Sequence, residues 1–269
     1  MYSESHLQEL YKAYSGTNSL WRGPNVLGIQ QLELDISANS DFKRTITKRI
    51  RLGQLVEQFV FNQIETSSQY TLLAENIQIK DNQRTLGELD GILQLKNQLI
   101  HLEIVYKFYV YDPKLGDSEI ERWIGPNRKD SLIEKLNKLK DRQFPLLRND
   151  LSRNALKDHG INSTQCEQRV LFKAQLFLPY QKDILFDKIN PDCVCGCFIH
   201  LDQMILFKDH LFYIPSKHDW LLDPKDGVTW ISFSEFKSEV QSYMERQQSP
   251  LFWKKSPNNS LEKIFLVWW

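Results

Sequence analysis

Alternating apolar and polar residues between Leu86 and Val110 predict a β-hairpin. Leu86 to Leu95 and Leu99 to Val110 are both rich in apolar, β-prone residues. The short polar segment Lys96-Asn97-Gln98 separates them and suits a tight turn. The second strand is strongly apolar along most of its length, so we expect it to be a central, covered strand of a sheet.

The same alternation predicts which polar side chains of the hairpin share a face. Side chains of a strand point to opposite faces in turn, so Glu88 and Asp90 lie together on the first strand. If the register brings the two polar faces together, carboxylates from both strands meet at one end of the sheet. The polar face of the second strand carries His101, Glu103, Val105 and Lys107.

Periodicity along the rest of the chain predicts an α/β (α+β) protein. The chain is predicted to divide into residues 1–180 and a β-rich portion, residues 181–269. The alternative is that the two portions together form one continuous domain. Helices are predicted over residues 4–14, from Ser40 or Asp41 through Ile64, from Asn127 or Asp130 to about Phe144, and from Ser234 to Gln247. Further strands are predicted over Tyr70–Lys80, Val170–Tyr180, a hairpin at Met204–Pro215, and Leu261–Trp269.

Composition limits the possible environments and partners. The chain has 269 residues, of which 41% are hydrophobic, enough for a substantial core. Lys+Arg and Asp+Glu both number 34, so any binding of nucleic acid depends on a local basic patch rather than on net charge. No apolar run approaches the roughly 18 residues of a membrane span, and the first residues lack a secretory pattern. We therefore expect a cytoplasmic protein with no membrane partner.

The carboxylates of the hairpin are candidate ligands for a divalent cation. Mg²⁺ and Mn²⁺ prefer oxygen ligands, usually one or two carboxylates completed by water and substrate phosphate. Asp90 and Glu103 suit this role because a carboxylate on a central strand needs a partner or a function. Glu57, beside the apolar face of the preceding helix, is a third candidate. The alternative is a half-exposed hairpin with ordinary polar residues on its solvent side.

Two basic stretches are candidate contacts for a nucleic-acid backbone. One precedes the apolar part of the second helix, and the other lies on the helix that follows the hairpin. Phosphate contacts of this kind supply affinity without sequence preference. The alternative is a solvated helix face, which mixed charge also indicates. The candidates are Arg44, Lys48, Arg51, Lys135, Lys138 and Arg142.

Cys193, Cys195 and Cys197 are spaced two residues apart, so the three thiols would share one face of a strand. A zinc site would need a fourth ligand, for which Cys166, His200 and His210 are candidates. The spacing differs from the usual zinc-binding C-x-x-C, and free buried thiols are the alternative that we favour.

Several motifs together resemble one protein family. The chain has Leu52-Gly53 with Glu57, then Gly87-Glu88-Leu89-Asp90, His101-Leu102-Glu103, Lys107-Phe108-Tyr109, and Trp123-Ile124-Gly125-Pro126-Asn127 with Leu132 and Lys135 beyond. Segments near both ends, Ser19-Leu20-Trp21 to Leu27 and Phe265-Leu266-Val267-Trp268-Trp269, complete the pattern. With these motifs the chain resembles the bacterial domain-of-unknown-function family 1853, which is grouped with the PD-(D/E)XK nuclease-like superfamily.

That resemblance implies a restriction-endonuclease-like core of helix, three-stranded antiparallel meander, helix and strand, with a β-rich C-terminal extension. It implies a metal-dependent nuclease that hydrolyses phosphodiester bonds in DNA with Mg or Mn at Asp90, Glu103 and Glu57. The superfamily lysine usually lies two residues after the acid, where this chain has Val105, so Lys107 or Lys135 takes its place. The alternatives are a catalytically inactive module that binds nucleic acid or protein, and a structural partner in a complex.

Overall fold

A computed structural model describes residues 2–23, 25–34 and 41–269 of the chain. In it the predicted hairpin consists of two long strands, β2 (Arg84–Leu95) and β3 (Gln98–Tyr111), and β1 (Tyr70–Asp81) pairs antiparallel with β2. The protein is a mixed α/β structure with a mostly antiparallel sheet, as the sequence predicts.

The chain forms two compact units, each built from two segments. The first unit comprises Met1–Tyr106 and Glu134–Lys173, and the second comprises Lys107–Ile133 and Ala174–Trp269. β3 and β5 (Cys166–Pro179) each contribute residues to both units.

The first unit has a sheet with the strand order β1-β2-β3-β5. Gly91 of β2 leaves room for Phe61, whose ring would lie 3.3 Å from an added Cβ. The next residue, Ile92, points to the opposite face, where it belongs to a cluster with Leu147 and Leu156. Apolar side chains therefore cover the sheet on both faces. The helices of this unit are α1 (Glu4–Gly16), α2 (Leu52–Thr66), α3 (Leu132–Lys138), α4 (Phe144–Leu146) and α5 (Asp150–Lys157). The first two residues of α3 belong to the second unit.

The second unit adds the strands β4 (Trp123–Ile124), β6 (Val194–His200), β7 (Leu211–Tyr213), β8 (Leu251–Lys255) and β9 (Leu261–Val267) and the helix α6 (Phe233–Glu245). Its strand order is β3-β5-β6-β9-β8-β7, with β4 paired to β3. Phe236 and Val240 of the helix pack on Phe212, Phe252 and other apolar side chains of the strands. Ser232 caps this helix and forms a capping box with Glu235. A serine followed three residues later by a glutamate is a recognisable sequence pattern for a helix start.

The prediction that α2 begins near residue 41 is wrong, because α2 begins at Leu52. Gln8 accepts a hydrogen bond from the Phe42 amide at 3.0 Å and donates one to its carbonyl at 2.8 Å. Asn62 accepts from the Lys43 amide at 2.7 Å. Side chains of α1 and α2 thus satisfy the backbone groups that a helix would otherwise pair internally. Ser40, the other predicted cap, lies outside the described residues.

The predicted hairpin over Met204–Pro215 is wrong in its first arm. Residues Leu201–Phe207 form a 3₁₀-helix, and only Leu211–Tyr213 is a strand. Met204 and Phe207 are buried among side chains of β8, β9 and α6. Met204 and Phe207 are three residues apart, and a 3₁₀-helix places such residues on one face. In so short an apolar segment, the sequence pattern does not distinguish this period from the alternation of a strand.

Candidate active site

β2 and β3 part at the position of the predicted carboxylates. Their ladder runs from Leu95 opposite Gln98 to Gly91 opposite Leu102. One residue further on, the Asp90 carboxylate accepts a hydrogen bond from the Ile104 amide at 2.8 Å. The Asp90 side chain therefore links β2 to β3 just beyond the last pair of backbone-paired residues.

This register places Asp90 and Glu103 on the same face of the hairpin, as the alternation of the sequence predicts. Glu103 is fully buried, whereas Asp90 is partly buried. Burial, reinforced by the charge of Glu103, raises the pKa of Asp90 to about 7. Burial also raises the pKa of Glu103 to about 7, although Lys135 and Lys138 oppose the shift. Both carboxyls therefore favour the protonated form near neutral pH. A cation bound beside them would stabilise their charged forms.

Glu103 is held by a relay from the helical segment that follows α3. Gln143 donates a hydrogen bond to Glu103 Oε2, and Lys135 Nζ donates to Gln143 Oε1 at 2.7 Å. Gln143 ends a π-helical turn, Leu139–Gln143, in which the Phe144 amide bonds to Leu139 O. The residue that such a turn inserts rotates the following positions by about 100° relative to a regular helix. The wide turn therefore helps to set the direction of Gln143.

His101 lies beside Glu103 and is also fully buried. Burial lowers the pKa of His101 to about 4, so the ring is neutral at pH 7. Gln168 Nε2 lies 3.3 Å from His101 Nδ1, and an amide nitrogen can only donate, which places the ring proton on Nε2. That nitrogen is 3.2 Å from Glu103 Oε1, and among the described residues neither atom has an aligned hydrogen-bond partner.

Glu57 of α2 is the third predicted acid. Burial and the charges of Asp90, Glu88 and Glu103 raise the pKa of Glu57 to about 7, so it responds electrostatically to both hairpin carboxylates. In the part of the chain that the structure describes, however, no group of three or more His, Cys, Asp or Glu side chains is arranged to hold a metal ion directly. A cation here would bind to the two strand carboxylates, with water as a further ligand.

Lys107 and Lys135 were both candidates for the catalytic lysine. Lys107 lies in the second unit, where its Nζ pairs with Asp130 Oδ2 at 2.6 Å. Lys135 lies in the first unit, lowers the pKa of Glu103 and reaches it through Gln143. The geometry therefore favours Lys135 as the lysine of the carboxylate site.

The comparisons with known proteins identify the family. The family described as "Domain of unknown function (DUF1853)" matches residues 7–267, almost the whole chain. The chain belongs to this family. No curated protein and no solved structure matches it. None of the helices in the described ranges is both long and apolar enough to cross a membrane.

The predicted nucleic-acid contacts of this DUF1853 protein fall into two groups. Arg44 is engaged within the fold, because its guanidinium pairs with Glu65 at 2.9 Å and Glu75 at 2.5 Å and also donates to Gln58. The other predicted contacts have exposed or half-exposed side chains. These are Lys48, Arg51, Lys135, Lys138 and Arg142.

Two single variants, Arg44→Met and Lys48→Met, compare a positive charge that is paired within the fold with one that faces solvent. We expect Arg44→Met to lower the free energy of unfolding by about 1–2 kcal/mol, because it breaks charged hydrogen bonds and leaves Glu75 unpaired. Lys48→Met removes an exposed charge and should change stability by less than about 0.5 kcal/mol. Urea unfolding measures both. Equal losses in the two variants would contradict the structural role of Arg44.

The four cysteines are free thiols. Cys193 belongs to a 3₁₀-turn, Pro191–Cys193, rather than to β6, so the predicted common strand face does not include it. Burial raises the pKa of Cys195 and of Cys197 to about 12. Both thiols are therefore protonated near neutral pH in the metal-free protein.

Sequence reasoning missed Gln143 and Gln168. Nothing in the local sequence distinguishes these glutamines from solvent-exposed ones, since their role depends on the π-turn and on β5. His101 does carry a signal, because it lies two residues before Glu103 and so on the same face of an apolar strand.

Proposed function

We propose that this protein hydrolyses phosphodiester bonds in DNA with a divalent cation, Mg²⁺ or Mn²⁺, held by Asp90 and Glu103. The observation that supports the proposal is that two carboxylates, Asp90 and Glu103, lie on the same face of the hairpin just beyond its last paired residues, and that the pKa of each is raised to about 7. Carboxylate oxygens are hard ligands that suit these ions. Glu103 Oε1 is buried without a hydrogen-bond partner among the described residues, so the residues fit a cation.

When bound, the cation would supply Lewis acidity and a more acidic water. The protein would hold the ligands in place, since Ile104 N fixes Asp90 and Gln143 fixes Glu103. Lys135 would contribute positive charge near the phosphate, and Glu57 would act through water. Lys48, Arg51, Lys138 and Arg142 would contact the nucleic-acid backbone.

The order of elements also supports the proposal. The chain runs from α2 through the antiparallel strands β1, β2 and β3 to α3 and then β5. We propose that this is the restriction-endonuclease-like core that the motifs imply.

Incubation with single-stranded, double-stranded and branched DNA, and with RNA, tests the proposal. We expect cleavage of DNA with Mg²⁺ or Mn²⁺ and none with excess chelator. Asp90→Asn should abolish it, because the change keeps the size of the side chain and removes its charge. Glu167→Gln is the matched control, since Glu167 is an exposed carboxylate paired with Arg169. Cleavage by Asp90→Asn at the rate of the unmodified protein would disprove the assignment.

A non-catalytic binding module is a second candidate. Protein hydrogen bonds already occupy one oxygen of Asp90 and one of Glu103, and the described residues offer no third direct ligand. Calorimetric titration with Mn²⁺ separates the two candidates. An enzyme should show saturable binding that Asp90→Asn removes, whereas a binding module should bind DNA equally well with and without the ion.

A further inference from the structure

The second unit contains a cavity that takes no part in the proposed nuclease function. Its volume is about 310 Å³. Apolar and aromatic side chains, among them Trp220, Tyr243 and Pro250, form much of its wall, and Asn127 and Lys217 add polar groups. This size and mixture are typical of sites for small organic molecules.

Lys217 gives the cavity its charge. Its ammonium lies 3.3 Å from the ring centroid of Trp220 and 5.3 Å from that of Phe108, although the residue as a whole is exposed. The contact with Trp220 is a close cation–π interaction, which holds the ammonium at the indole face. Among the residues that the structure describes, no carboxylate lies within ion-pair distance of Lys217.

The charges that act on Lys217 leave a surplus of positive charge. The Trp220 and Phe108 rings shield the ammonium from water, and this burial of the charged end lowers the pKa of Lys217 to about 7 although the residue as a whole is exposed. The charge of Lys107 adds to the shift, and Asp130 opposes it. Asp130 is already paired with Lys107 at 2.6 Å. Two ammonium groups therefore share one carboxylate, and within the described ranges the protonated Lys217 has no second carboxylate at ion-pair distance.

We propose that this cavity binds a small organic anion with a planar apolar body, its anionic group at the Lys217 ammonium and its body against the apolar wall that includes Tyr243 and Pro250. An anion would supply the missing counter-charge, and a planar body would contact the aromatic and proline side chains of the wall. A carboxylate or a phosphate monoester on an aromatic ring has this chemistry. The inference stands independently of the nuclease proposal, because the cavity residues and the two carboxylates belong to different units.

Calorimetric titration of the full chain with benzoate and phenyl phosphate tests the inference, with benzamide as a neutral analogue. We expect saturable binding of at least one anion and binding of benzamide that is about tenfold weaker or less. Because an anion raises the pKa of a neighbouring amine, binding near pH 7.5 should take up protons. Titration in two buffers of different ionisation enthalpy measures that uptake.

Three variants locate the site. Lys217→Gln should weaken anion binding at least about tenfold, and Lys217→Arg should preserve binding without proton uptake, since arginine does not titrate in this range. Lys114→Gln, at a lysine that does not line the cavity, is the control and should leave affinity unchanged. No saturable binding of either anion, or equal affinities of Lys217→Gln and the unmodified protein, would overturn the proposal. Thermal unfolding confirms that each variant is folded.

Discussion

Replacing Glu103 by glutamine should make the protein more stable above pH 7 and should abolish the metal-dependent cleavage that we propose. Burial raises the pKa of Glu103 to about 7, so the folded protein binds this proton more tightly than the unfolded chain does. A raised carboxyl pKa means that stability falls as the pH rises from the unfolded pKa to the folded one. Glutamine is neutral at every pH and escapes this loss.

We expect the unfolding free energy of the unmodified protein, in chelator, to fall between pH 5 and pH 8. At pH 8 Glu103→Gln should be more stable by about 3 kcal/mol, because the pKa shift from 4.5 to about 7 spans about 2.5 units and each unit corresponds to about 1.4 kcal/mol. The same variant should lose at least about two orders of magnitude in cleavage rate, since it removes one of the two carboxylates that we propose hold the cation. Urea unfolding across the pH range and the DNA cleavage assay measure the two effects.

Glu167→Gln controls for the loss of a carboxylate at an exposed position of the same unit and should show neither effect. Adding Mn²⁺ should stabilise the unmodified protein, by about 2.7 kcal/mol at one hundred times the dissociation constant, and leave Glu103→Gln unchanged. A Glu103→Gln variant that cleaves normally, or that is no more stable at pH 8, would contradict the role of this carboxylate.

Replacing Gly196 by alanine should strongly destabilise the second unit, because the added methyl group has no space. Gly196 lies on β6, between Phe177 of β5 and the backbone of β9. A Cβ at this position would lie 2.0 Å from the carbonyl oxygen of Lys263 and 3.0 Å from the Phe177 ring. The carbonyl belongs to a paired strand and cannot move away without breaking the sheet. We therefore expect a loss of about 3 kcal/mol.

Chemical denaturation followed by circular dichroism measures this loss. Gly227→Ala is the matched control in the same unit, because an added Cβ there meets no atom within 4 Å. We expect Gly227→Ala to shift the free energy of unfolding by less than about 0.5 kcal/mol. If the two variants unfold at the same denaturant concentration, β6 and β9 do not approach as closely at Gly196 as the structure indicates.

Local pattern was enough to predict the elements around the candidate site. The period of two along β2 and β3 predicted both strands and the common face of Asp90 and Glu103, because a side chain's face depends only on its position in the strand. The helical period predicted α1 and α6 to within a few residues for the same reason. These periods depend only on neighbouring residues, so the elements can be predicted from the sequence alone.

Local pattern failed where distant side chains replaced local bonds. Asp41 to Arg51 has an acidic start and basic residues that suit a helix, yet Gln8 and Asn62 bind the backbone groups of Phe42 and Lys43 at its start, and the segment is not helical. The first arm of the hairpin predicted over Met204–Pro215 instead belongs to the 3₁₀-helix Leu201–Phe207, and packing against β8, β9 and α6 favours that conformation.

The sequence by itself determined the family, the hairpin and the two carboxylates that share its face. Only the tertiary structure decided that Lys135, through Gln143, serves Glu103 while Lys107 pairs with Asp130. It also divided the chain into two units that each join distant segments. The physical reason is that alternation fixes the direction of a side chain along one element, whereas its partner depends on how elements far apart in the chain pack together.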